Sequence, residues 1–267
     1  MHFRWKIFFV FILLSGICHP ANSDAHPASN VRTAPSLALS PAVVEVKTQP
    51  GASSVHELTI TNLTYVRFRF AMEAFDVVIR DGKRAFIPAG EINGGIARSA
   101  IFDPPNLELN PGESGHVKVT LTVPEQPNVR AVAAIFHGQT ALPGSGSFMV
   151  TGSLGTLITY NLSGNVSVHL GTPSLSAQTE GSNLTVSDKL RNEGSEPVVA
   201  NGTLAILKST GELVGRVAIE PHRLLPEEEI DCQAEYPHSL QPGDYRAMIS
   251  FEHEGGVQTS SVRFRVP

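Results

Sequence analysis

The sequence predicts an all-β protein built as two consecutive β-sandwiches. Three observations carry that prediction. Apolar and polar residues alternate with a period of two in many short segments, the pattern of strands with one buried face. Turn signals such as Gln49-Pro50-Gly51, Asp81-Gly82, Asn110-Pro111-Gly112 and Glu254-Gly255-Gly256 separate those segments. Beyond the N-terminus, no segment longer than about ten residues has helical periodicity.

The 267 residues suit one or two domains. Hydrophobic content is 41% against 17% charged, which supports packed cores over disorder. The formal net charge of −5 gives no basic surface bias, so nucleic acid is not an expected partner.

The N-terminus reads as a signal peptide over residues 1–25. Arg4 and Lys6 give a positive start, and Ile7 to Leu14 is an unbroken apolar run. Cleavage fits after Ser23 or after Ala25. The run is too short to span a bilayer, so no membrane span is expected. Lipoprotein processing before Cys18 is a lesser alternative, because Ile17 is bulky where a small residue is wanted. The mature chain is expected to be exported, to a periplasm or beyond. It then keeps one cysteine, Cys232, and no internal disulfide. Cys232 alternates with Ile230, Ala234 and Tyr236, which predicts a buried, inert thiol.

Residues 26–35 are rich in Ala, Pro, Ser and Asn and read as a flexible leader. The first sandwich is assigned to residues 36–163. Val44 and Val46 alternate with Glu45 and Lys47, and Val55 to Thr61 is a strand with Leu58 and Ile60 on one face. Val66 to Ile79 is the clearest strand. Its apolar parity changes from Phe68, Phe70 and Met72 to Phe75, Val77 and Ile79, which predicts a bulge near Ala74. Asp81-Gly82 is a hairpin turn, and Ala89 to Ala100 is a Gly-rich loop. Pro104 and Pro105 exclude a central strand at their position. Val117 to Val123 and Val132 to Phe136 are further strands.

Ser145 to Asn161 is a long strand without Lys, Arg, Asp or Glu. One face carries Phe148, Val150, Gly152, Leu154, Ile158 and Tyr160; the other is mostly small or polar. The pattern fits the last strand of the first sandwich. It also fits a strand lent to a partner protein, with Phe148, Val150, Leu154 and Ile158 filling pockets and Gly152 permitting close approach.

The second sandwich is assigned to residues 164–267. Its strands include Leu184 to Asn192, Gly202 to Lys208, Val214 to Ile219, the Cys232 segment, Arg246 to Glu252 and Val257 to Val266. Leu240-Gln241-Pro242-Gly243-Asp244-Tyr245 predicts a turn crossing between sheets, with the Tyr245 hydroxyl bonding upstream backbone. That corner is an immunoglobulin-like feature of the second block, while about seven strands separated by turn signals argue a sandwich in the first; both are read as immunoglobulin-like β-sandwich domains.

Residue patterns for catalysis are missing. The histidines are scattered and form no H-x-x-H, and there is no nucleophile elbow, phosphate loop or dinucleotide fingerprint. Glu227-Glu228-Glu229 with Asp231 reads as a solvated turn, since Ca²⁺ needs about six or more converging oxygens. Asn62, Asn161, Asn165, Asn183 and Asn201 head Asn-x-Ser/Thr sequons, which matter only in a host that glycosylates. The expectation is a non-enzymatic protein with no metal and no cofactor.

Residues 36–163 resemble the N-terminal domain of periplasmic pilus-assembly chaperones, the PapD-like family. Leu39-Ser40-Pro41, Pro50-Gly51 and Leu58-Thr59-Ile60-Thr61-Asn62 are similar to the family's first two strands. Phe102 to Glu113 is similar to its Pro-Pro and Leu-x-Pro-Gly segment, and Phe148 to Tyr160 falls where its long last strand lies. The resemblance implies a chaperone of the cell envelope that binds pilus-type subunits by strand addition through residues 145–160. Val43 or Val44 stands at about the place of the family's anchoring Arg, and the Phe148–Tyr160 strand has no basic residue. The family's carboxylate anchor is therefore transferred to no residue here. The alternative is a secreted structural or adhesion module of two immunoglobulin-like domains. It is distinguished by whether the 145–160 strand is an exposed edge.

Overall fold

A computed structural model describes residues 36–141, 149–171, 174–177 and 184–267. Residues 1–35, read from sequence as a signal peptide with Cys18 and a leader, and Phe148 lie outside the described residues. The described chain is all-β apart from one 3-10 turn at Ala97–Ser99.

The first sandwich contains β1 (Leu37–Ser40), β2 (Val43–Lys47), β3 (Ser53–Asn62), β4 (Phe68–Arg80), β5 (Lys83–Pro88), β6 (Ile101–Asp103), β7 (Asn106–Leu109), β8 (Ser114–Thr122), β9 (Ala131–Ala141) and β10 (Met149–Asn161). One sheet has the order β1-β3-β8-β6. The other has the order β2-β10-β9-β4-β5, with β7 also on β4. Pro41 lies between β1 and β2, and Pro104-Pro105 between β6 and β7. At both places the chain leaves one sheet for the other, as suits residues without an N–H for a ladder.

The second sandwich contains β11 (Val168–Leu170), β12 (Ser174–Ala177), β13 (Leu184–Asn192), β14 (Val198–Lys208), β15 (Leu213–Leu224), β16 (Glu229–Tyr236), β17 (Gly243–His253) and β18 (Gly256–Val266). One sheet places β11 and β12 along one side of β13, with β16 on the other. The other sheet has the order β15-β14-β17-β18.

Alternation builds each core. In the first, Leu58 and Ile60 of β3, Phe70 of β4, Val117, Val119 and Leu121 of β8 and Phe136 of β9 close one cluster between the sheets. In the second, Val186, Leu204, Ile249 and Phe251 do the same, with Cys232 among them. Cys232 Sγ lies 3.0 Å from the Asp188 carbonyl, and burial pushes its thiol up to about 11. The predicted tyrosine corner is present: the Tyr245 hydroxyl donates to the Gln241 carbonyl at 2.8 Å.

The two sandwiches share one internal device. Asn62 ends β3 and Asn192 ends β13, both fully buried. Asn62 Nδ2 donates to the carbonyls of Val66 at 2.8 Å and Leu109 at 3.0 Å. Asn192 Nδ2 donates to the carbonyls of Glu196 at 2.8 Å and Leu224 at 3.3 Å. Each amide satisfies backbone groups at a turn that has no ladder to use. Of the sequon residues, Asn62 is thus enclosed.

Two readings are corrected. There is no bulge near Ala74: the β4–β9 register runs unbroken from Arg69↔Gln139 to Asp76↔Val132, and the β4–β5 register from Phe75 to Arg80. The parity changes because the other face of β4 is also covered. Val77 joins Ala131, Ala133 and Ile135 of β9 and Leu225 of the second sandwich in a separate cluster, flanked by Phe75 and Ile79. A strand apolar on both faces looks like a slip in sequence.

The acidic run is not simply solvated. Glu228 is 6% exposed. Its Oε1 lies 2.8 Å from Arg84 Nε, and its Oε2 accepts from Arg84 Nη2 at 3.0 Å and from the Leu225 N–H at 2.8 Å. Glu229 pairs with Lys189 at 2.9 Å. Glu228 thus ties the two sandwiches together, while Glu227 and Asp231 are exposed.

Candidate partner-binding edge

β10 has two different halves. It pairs with β9 along nearly its whole length, from Met149↔Ala141 to Thr159↔Ala131. On its other side β2 runs parallel to it only from Leu157↔Val43 to Asn161↔Lys47. Among the described residues, nothing pairs with that side of residues 149–156. The opening starts where β1 turns away: β1 belongs to the opposite sheet, and only after Pro41 does the chain reach β10.

Strand geometry sets which groups face the opening. The Leu157 N–H donates to the Ala42 carbonyl, on the β2 side, and the Tyr160 N–H donates to the Arg130 carbonyl, at the β9 side. Successive backbone groups alternate in direction. The N–H and C=O groups of Thr151, Ser153 and Gly155 therefore point out of the sheet edge, while those of Val150, Gly152 and Leu154 serve the β9 ladder.

The side chains divide the same way. Val150, Gly152, Leu154, Ile158 and Tyr160 share the inner face. Val150 is 41% exposed, and Leu154 is half-buried against the core. Ile158 and Tyr160 are fully buried. The Tyr160 hydroxyl reaches Ser54 Oγ at 3.2 Å, and burial pushes it up to about 12. Thr156 closes the open half, donating its hydroxyl to the Pro41 carbonyl at 2.8 Å. Of the residues read from sequence as a donor face, the structure thus places Val150, Gly152 and Leu154 on the open half. Ile158 sits in the domain's own core, on a segment paired on both sides.

The outer face carries an arrangement that sequence spacing did not reveal. Ser153 Oγ lies 2.9 Å from His137 Nδ1, and His137 Nε2 lies 3.6 Å from Glu73 Oε2. The three come from β10, β9 and β4. They sit on a flat sheet face, and we read them as a polar tie holding the open half of β10 to β9.

β10 itself carries little charge. β10 has no ionisable side chain except Tyr160. The charged residues of β2 are engaged with the second sandwich: Glu45 pairs with Arg223, and Lys47 with Glu254 at 3.0 Å. Glu196, 2% exposed, accepts from the N–H groups of Leu162 at 2.8 Å and Gly164 at 3.0 Å, and from Arg130 Nε at 3.3 Å. The chain leaving β10 is thereby fixed. Neither Glu196 nor Glu228 has a signal in sequence, because their charged partners, Arg130 and Arg84, are remote in the chain.

No family model and no curated protein sequence matches the chain. Solved structures similar to it include the class 5 fimbriae chaperone CfaA, at 13% identity and TM-score 0.41, covering 87% of this chain and 100% of that one. A chain of the CsuC–CsuE chaperone–tip adhesion subunit pre-assembly complex of Acinetobacter baumannii is similar at 12% identity and TM-score 0.41, covering 85% and 97%. The Escherichia coli chaperone DraB is similar at 16% identity and TM-score 0.40, covering 87% and 98%.

Proposed function

We propose that this is an exported, non-enzymatic protein of the pilus-chaperone kind, which binds partner protein subunits by β-strand addition at residues 149–156. One observation carries the reading: among the described residues this edge is open and unguarded. Natural sheets blunt open edges with charge, proline or short strands. β18 carries Arg263 and Arg265, and β5 carries Lys83 and Arg84. Residues 149–156 carry no charge and no proline.

The chemistry suits an extended partner. The outward N–H and C=O groups of Thr151, Ser153 and Gly155 offer a ladder. Val150 and Leu154 offer apolar area, each contributing roughly 1.5–3 kcal/mol if fully covered. Ordering a partner segment offsets part of that. Ile158 contributes from inside, by holding the base of the strand in place.

Residue-resolved amide hydrogen exchange on the mature protein tests the proposal. In the free protein the amides of Thr151, Ser153 and Gly155 exchange fast, while those of Gly152 and Leu154 exchange slowly. With a co-expressed pilus-type subunit the first three become protected. Slow exchange at all five in the free protein, or no change in a stable complex, rejects strand addition here. That result favours the structural or adhesion module, for which the ion pairs between the sandwiches would serve a rigid spacer.

A further inference from the structure

One row of residues crosses the sheet beneath the open edge. Leu107 of β7 faces Phe70 of β4, Phe70 faces Gly138 of β9, and Gly138 faces Gly152 of β10. All point to the inner face. The next position in the row belongs to whatever strand adds to β10.

The two glycines differ in what lies over them. A Cβ on Gly138 would sit 2.7 Å from Phe70 Cε1 and 3.1 Å from Phe68 Cδ1. The Phe70 ring, 2% exposed, thus lies over its glycine neighbour and stacks with Phe68 at 5.9 Å between centroids. A Cβ on Gly152 would meet nothing within 4 Å among the described residues. Gly152 interrupts the apolar row between Val150 and Leu154, leaving an uncovered gap between two apolar side chains. A bare glycine in a sheet is stabilised when an aromatic side chain on the neighbouring strand lies across it. The Phe70–Gly138 pair already shows that solution one strand further in.

We infer that the segment accepted by β10 carries an aromatic residue in register with Gly152, its ring lying over the glycine between Val150 and Leu154. The inference rests on strand addition at residues 149–156 and adds the partner's chemistry: an extended apolar segment with an aromatic at one fixed position. Gly152 then acts as a socket for the partner. Val150 and Leu154 are its walls, and selectivity comes from this position rather than from an ion pair. Larger side chains at Gly152 fill the socket themselves.

The test uses the mature protein and short synthetic peptides in which valine alternates with threonine or lysine. The peptides are identical except for Phe, Leu or Ala at one central valine position. The Phe peptide is expected to bind about tenfold tighter than the Ala peptide, with Leu between. Gly152→Val is expected to keep or slightly raise the melting temperature, since its Cβ meets nothing among the described residues and valine favours a strand, and to abolish the Phe preference. Thr151→Pro, which removes one outward N–H and leaves the β9 ladder intact, is expected to weaken all three peptides. Equal binding of Phe and Ala peptides, both weakened by Thr151→Pro, overturns the aromatic assignment and leaves strand addition standing. A stronger Phe preference in Gly152→Val also overturns it. No peptide binding, or binding indifferent to Thr151→Pro, overturns the edge and the assignment together.

Discussion

Arg84 on β5 and Glu228 just before β16 meet with Arg84 Nε 2.8 Å from Glu228 Oε1, joining one sandwich to the other. The same guanidinium donates to the Arg223 carbonyl at 2.7 Å, and Arg223 itself pairs with Glu45. Four charged residues and one carbonyl thus form a chain across the junction, beside the apolar contact of Leu225 with the β9 face. Removing one partner leaves the other charge enclosed. Glu228→Leu is expected to cost about 3 kcal/mol, and Arg84→Met combined with Glu228→Leu distinctly less than the two single changes summed. Urea unfolding of the four proteins checks this; simple additivity would contradict it.

Asp76 gives an acid-range prediction. It is fully buried on β4, and its Oδ1 accepts from the N–H groups of Ile96 at 2.8 Å and Ala97 at 2.9 Å. Burial outweighs those bonds and raises its carboxyl above the ordinary 3.8. The folded state therefore binds its proton more tightly than the unfolded chain does. This group's contribution makes the protein less stable as pH rises from 3.8 through the folded value, and the loss is complete above that value. Asp76→Asn removes the titration while keeping the acceptor. The stability of wild type relative to Asp76→Asn, from urea midpoints across pH, should improve on acidification and level off below 3.8. A flat difference across that range would count against it.

Cys232 should be silent in the folded protein. Its thiol is 1% exposed and pushed up to about 11, first by burial and then by the Asp188 charge. The thiolate is the reactive form. A disulfide reagent at pH 8 is expected to label Cys232 only after denaturant is added. Rapid labelling of the native protein would contradict the assigned burial.

The paired asparagines should respond alike. Asn62→Ala removes both donors to the Val66 and Leu109 carbonyls, and Asn192→Ala removes those to Glu196 and Leu224. Losing these buried donors costs roughly 1–3 kcal/mol per change. Circular dichroism during chemical unfolding should show both variants less stable by about 2 kcal/mol or more. Asn→Asp at either site should be at least as costly, because a carboxylate cannot donate to a carbonyl.

Much of the fold was legible from residue order alone. Alternation located Val117–Val123 as a strand and put Leu58 and Ile60 in the core, because a strand's side chains must take opposite faces. Pro104 and Pro105 excluded a central strand at their position, because proline cannot donate to a ladder. Leu240 to Tyr245 foretold its own corner, since donor and acceptor lie four residues apart. The length and neutrality of the strand ending at Asn161 were equally plain.

Tertiary structure decided what depends on residues far apart in the chain. Whether β10 is open or sealed depends on where β2 joins it, more than one hundred residues earlier in sequence. That join separates Val150, Gly152 and Leu154 from Ile158, though all four share one parity. Ser153, His137 and Glu73 meet only through the strand order β10-β9-β4. Val77 and Ile135 are buried because another sandwich lies over them, and Glu228 lies among enclosed groups because Arg84 reaches it there. Periodicity reports which face of a strand is apolar. It carries no information about which edge another strand will cover, because edge pairing uses the backbone, and the backbone is the same at every residue but proline.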